Sequence, residues 1–169
     1  LLTEARPEEL AMTFSLETVF ESFNVFVSYE PIPNFAGLQK RFPGVVSDVY
    51  GNWRTKYIPH ESNARMAEFP RGLIFCAHRF SKPVNGDAAV EEGLKRNLRQ
   101  PSFKESLAFV NAYPDFQMKY FVASLGTAVT RGDERFLPVF GRFMGKPSLG
   151  AAPLATVWAG FYCFLYVQK

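Results

Sequence analysis

The sequence predicts a mainly α chain: short helices, a Pro-rich extended middle segment and one C-terminal transmembrane helix. Three observations lead there. No charged side chain falls between Lys146 and Lys169. Apolar residues recur at helical spacing from Met12 to Val27, which makes one stripe on a helix. Asp87, Ser102 and Asp115 stand where N-caps belong, ahead of apolar-periodic runs. The chain then divides into an N-terminal amphipathic helix (1–30), a Pro/Gly-rich extended segment (31–84), a helical region (85–146) and a transmembrane helix (147–168).

In the first region, Pro7 suits a first helical position, and Glu8 and Glu9 complement the positive end of the helix dipole. Met12, Leu16, Val19, Phe20, Phe23 and Val27 supply the stripe. Phe23, Val25, Val27 and Tyr29 also alternate as a strand would, and the persistence of the stripe decides for helix. Pro31 and Pro33 end it. From 31 to 84, prolines and glycines alternate closely enough to permit only short elements, near Phe35–Arg41, Val45–Tyr57 and Gly72–Ala77. The segment should lie along partner surfaces, with aromatics as anchors.

In the third region, Asp87 caps a helix running to about Gln100, which Pro101 stops. Ser102 and Glu105 have capping-box spacing for a second, closed by Pro114. Asp115 opens a third, with Phe116, Tyr120, Ala123 and Thr127 on one face, and Asp133–Met144 a short fourth. Glu91–Lys95 and Glu92–Arg96 are i,i+4 pairs on an exposed helix face.

The charge-free run from Pro147 just meets the length of about 20 residues that a bilayer core requires. Small residues among bulky ones suit packing in a bundle. Trp158, Phe161, Tyr162, Phe164 and Tyr166 are the expected membrane anchors, with Tyr162 and Tyr166 in an aromatic belt. Pro147 and Pro153 leave a shorter, buried helix as the alternative. Arg131, Arg135, Arg142 and Lys146 precede the run and only Lys169 follows, so the N-terminal part should stay on the insertion side. Arg135, Arg142, Phe143 and Lys146 read as membrane-interface or partner contacts, as do Trp53 and Arg54.

Composition excludes several classes. The 169 residues carry 47% apolar side chains and a net charge of only +3. Wholesale disorder is therefore out, and a nucleic-acid surface is not indicated. Cys76 and Cys163 make neither a disulfide framework nor a thiolate metal site, and each reads as a buried, inert thiol. No phosphate-binding Gly-rich loop, nucleophile elbow or metal spacing occurs, so no cofactor is expected. The two histidines, His60 and His78, lack an identifiable second group, although an enzyme using either, with Glu61 or Glu68, stays open. The chain begins Leu1-Leu2-Thr3, as a processed form would, so the lack of a leader does not argue for cytoplasm.

Phe140-Gly-Arg-Phe-Met-Gly-Lys-Pro-Ser148, followed by an apolar stretch ending Ala159-Gly-Phe-Tyr-Cys-Phe-Leu-Tyr166, resembles the membrane-insertion region of mitochondrial ATP synthase subunit f. That family has an aromatic, basic matrix-side stretch and a single helix with aromatics near its end. The resemblance implies no catalysis and no cofactor. It implies a non-catalytic accessory subunit that braces the proton-translocating sector in the mitochondrial inner membrane, its N-terminal part in the matrix. Its partners would be other subunits of the complex and membrane lipid, not nucleic acid. The alternatives are an accessory subunit of a respiratory-chain complex and a soluble helical protein-binding module.

Overall fold

A computed structural model describes residues 17–19, 22–28, 30–51, 54–57 and 71–169. Its centre is a mixed sheet of 11 strands among the described residues, not a set of helices. In chain order the elements are β1 (Glu17–Val19), β2 (Phe23–Val27), α1 (Phe35–Arg41), β3 (Val45–Val46), a 3-10 turn (Asp48–Tyr50), β4 (Arg54–Tyr57) and β5 (Arg71–Phe80). Then come β6 (Val84–Asn85), α2 (Gly86–Lys95), β7 (Leu98–Arg99), α3 (Phe103–Ala112) and α4 (Pro114–Lys119). The last are β8 (Phe121–Ala123), β9 (Thr127–Arg131), β10 (Glu134–Phe143), β11 (Lys146–Pro153), β12 (Val157–Trp158) and β13 (Tyr162–Gln168).

Across the sheet the order is β1, β5, β13, β8, β10, β11, β3, with β2 also on β5, β7 on β13 and β9 on β10. β13 lies inside, antiparallel to β5 and parallel to β8. Helices α1, α3 and α4 cover one face, packing Leu38, Phe103, Phe109 and Phe116 on Val25, Phe75, Phe140 and Leu165. Helix α2 and the small β6–β12 pair cover the other, around Trp158, Phe164, Tyr166 and Leu137.

Local chemistry accounts for the helices. Ser102 and Glu105 form the expected reciprocal capping box at the start of α3. Asn85, two residues ahead of the predicted Asp87, accepts from the Ala88 N–H and starts α2. Pro114 stands in the first turn of α4, where its missing N–H costs nothing.

The transmembrane helix is corrected: no helix among the described residues is long and apolar enough to cross a membrane. Residues 147–168 make most of β11 and all of β12 and β13. Cys163 to Val167 are buried in succession. A strand covered on both faces has no polar side, so it reads as a continuous apolar run, as a spanning helix does. With that helix go the mainly α class and the inner-membrane, matrix-facing location. The residues behind the subunit f resemblance lie on the β10–β11 hairpin and on a central strand.

Two further helices are strands. Residues 23–27 take the alternation of Phe23, Val25 and Val27, because Val25 and Val27 face the core while Phe26 is exposed; residues 1–16, 20–21 and 29 of the predicted first helix lie outside the described residues. Residues 134–143 are β10, paired along β11 from Phe136↔Pro153 to Phe143↔Lys146. The helix expected from Asp115 ends at Lys119, and β8 begins two residues on at Phe121.

A buried ion pair ties α3 to the sheet. Arg99 Nη1 and Nη2 donate to Glu105 Oε1 and Oε2 at 2.8 and 2.7 Å. The Ser102 N–H donates to Glu105 Oε1 at 2.8 Å. Both charged side chains are 2% exposed.

Candidate interaction surface

The β10–β11 hairpin ends in a two-residue turn, Met144-Gly145, with φ of 50° and 76°. Positive φ at both central residues is the type I′ arrangement, which suits the twist of the strands and favours Asn-Gly or Gly-Gly. Gly145 fits it. Met144 does not: a side chain with a Cβ pays a steric penalty of about 1–2 kcal/mol there. Met144 is also 86% exposed, and Phe143 beside it is 52% exposed. A long apolar side chain thus occupies a position that disfavours it on two counts. Such outliers collect at functional sites.

The turn continues into an aromatic rim. Phe121 of β8 lies over Gly141 of β10, where a Cβ would come within 2.4 Å of the ring. Only glycine leaves room for that ring. Phe161, 54% exposed, packs edge-on to Phe121 at 5.8 Å between centroids. Tyr162 touches Phe161, Phe121 and the buried Trp158, which roots the rim in the core.

Cations bracket these side chains. The Arg142 guanidinium stands 6.0 Å from the centre of the Phe121 ring and donates to the Met118 carbonyl at the end of α4. Lys119 lies 5.4 Å over the Tyr120 ring. Lys146 is exposed and opposite Phe143 in the hairpin. Residues 116–132 and 135–169 contain no Asp or Glu. Asp115 lies one helical turn before Lys119, and Asp133 and Glu134 are at the far end of β10. Among the described residues, this end of the sheet therefore combines exposed apolar side chains with the cations Arg142 and Lys146 on strands that carry no carboxylate near them.

Of the residues predicted from the sequence as membrane-interface or partner contacts, Arg142, Phe143 and Lys146 meet at this turn. Arg135 sits at the opposite end of β10, about 23 Å away at the rise of a strand. Arg54 belongs to β4, paired with β9, and Trp53 lies outside the described residues. Of the predicted anchors, Phe161 and Tyr162 are in the rim. Trp158, Phe164 and Tyr166 are at most 1% exposed in the core, so they face protein and not lipid. Met144, Phe121 and Gly141 were not singled out from the sequence. A Met-Gly pair between two alternating apolar stretches is the signal that could have found the turn.

Of the histidines considered for catalysis, His78 is among the described residues. His78, 4% exposed, meets the Tyr166 ring edge-on at 5.1 Å. Burial, helped by Arg96 and opposed by Glu92, pushes its pKa down to about 4. His60, Glu61 and Glu68 lie outside the described residues. Burial raises the Cys163 thiol to about 12, the state of an inert core thiol. Among the described residues no group of three His, Cys, Asp or Glu side chains could hold a metal ion.

Comparison of the chain with family models, with curated proteins and with solved structures finds no match.

Proposed function

We propose that this chain is a non-catalytic docking domain that seats its β10–β11 turn in the headgroup layer of an anionic membrane, lying on the surface without crossing it. The observation that carries the reading is Met144, exposed in a left-handed turn position and flanked by Phe143, Arg142 and Lys146. Charge complementarity selects the partner. An anionic leaflet attracts each Lys or Arg near it by about 1 kcal/mol, and no carboxylate in the neighbouring strands opposes Arg142 and Lys146. Full burial of a Met or Phe side chain contributes about 1.5–3 kcal/mol. The exposed parts of Phe143, Met144 and Phe161 together offer about 4 kcal/mol on insertion. Such a sum gives reversible, salt-sensitive attachment.

Sedimentation with phosphatidylcholine vesicles, with and without phosphatidylserine, tests the reading. The wild-type chain should bind the phosphatidylserine vesicles, and raised salt should weaken that binding. Met144→Asn installs the preferred I′ turn residue, so the melting temperature should hold or rise while vesicle affinity falls about tenfold. Equal binding by Met144→Asn, or no binding of wild type to either vesicle, refutes the proposal.

A further inference from the structure

A cleft of about 310 Å³ lies between the end of β2, residues 30–33, the last turn of α1 and the outer side of α3. Arg41 reaches into it from α1, with Nη2 donating to the Leu107 carbonyl oxygen at 2.9 Å. One hydrogen bond leaves most of the five guanidinium donors for another acceptor. Arg41 is half-buried and forms no ion pair with a described residue. Burial lowers its pKa, more than the field of Glu30 raises it, as expected for a cation short of a counter-ion. The walls around it include Val27, Ile32, Leu107 and Ala108.

We propose that this cleft binds a carboxylate carried on an apolar chain, its oxygens held by Arg41 and its chain against Ile32, Leu107 and Ala108. A planar guanidinium matches a carboxylate in a two-bond fork, which a compact ammonium cannot do. Lys104 adds a second positive charge to the lining. Glu30 also lines the cleft, but it is exposed, so water screens its repulsion. Ser28 and Asn111 supply neutral polar groups beside the ligand. The volume is at the lower end of the range of about 300–1,000 Å³ for small-molecule sites, which favours a short or medium chain. The site is separate from the β10–β11 turn and does not depend on the membrane reading.

Isothermal titration of the full chain with sodium octanoate and with octanamide tests it. Octanoate should bind saturably, and octanamide at least tenfold more weakly. Arg41→Gln keeps a donor for the Leu107 carbonyl and should lose octanoate by a similar factor at an unchanged melting temperature. Ala108→Phe fills the cleft without touching Arg41 and should lose it as well. N-acetyl-leucine and its amide distinguish the two sources of such a carboxylate. Preference for octanoate assigns a free aliphatic acid, and preference for N-acetyl-leucine assigns the carboxyl terminus of a peptide. Equal binding of acid and amide, octanoate binding that survives both variants, or failure of both acids to bind overturns the proposal.

Discussion

Glu105→Leu should be among the most damaging single changes in the molecule. The carboxylate accepts two hydrogen bonds from Arg99 and one from the Ser102 N–H. Arg71 is a weaker partner, 3.9 Å away and 18% exposed. Removing Glu105 leaves the Arg99 guanidinium charged, 2% exposed and without its carboxylate. Breaking a buried pair from one side costs about 3–5 kcal/mol. For a domain of this size that lowers the melting temperature by about 6–20 °C. The double change Arg99→Met with Glu105→Leu removes both charges, and a buried pair replaced by apolar residues of similar volume is often neutral. It should recover most of the loss, short of about 1 kcal/mol for the Ser102 N–H left without an acceptor. Urea unfolding of the two singles and the double gives the coupling directly. A single that costs less than about 1 kcal/mol, or a double no better than the worse single, refutes the argument.

Two other outcomes follow from local geometry. Gly141→Ala drives a methyl to 2.4 Å from the Phe121 ring; overpacking of that kind costs about 1–3 kcal/mol in urea unfolding, and Phe121→Ala in the same chain should relieve it. His78 has a pKa of about 4 in the folded chain against an ordinary 6.5, so between those values the unfolded chain binds more protons. Its contribution to stability is full above about pH 6.5 and is lost as pH falls to about 4, up to about 3 kcal/mol in all. Urea midpoints across that range should flatten in His78→Phe.

Parts of the fold were legible because short-range chemistry fixes them. Ser102 and Glu105 make their capping box, Pro101 and Pro114 bound α3, and Phe35–Arg41 is a helix. The Glu92–Arg96 pair forms at 3.3 Å on α2. Arg142, Phe143 and Lys146 are exposed, and their basic and aromatic character was legible because it survives any secondary structure. The cleft was not legible, since Arg41 and Leu107 meet only across the fold.

The mistaken elements share one physical cause. Residues 134–143 carry apolar side chains that suit an amphipathic helix or a strand, and the choice fell to β11 and β8, which pair with both edges of β10. Tyr162–Gln168 was apolar enough for lipid, yet β5 and β8 bind its edges and helices cover its faces. By itself, then, the sequence determined the Ser102–Glu105 capping box, the Pro114 boundary, the ample apolar content and the basic, aromatic character of the 135–146 segment. The caps predicted at Asp87 and Asp115 fall to Asn85 and to Tyr113, which makes no side-chain cap, and the helix expected to reach Gln100 ends at Lys95. Tertiary structure alone decided whether the C-terminal apolar run would meet lipid or protein. Hydrophobicity records that a side chain leaves water, and the strands alongside it decide what it enters.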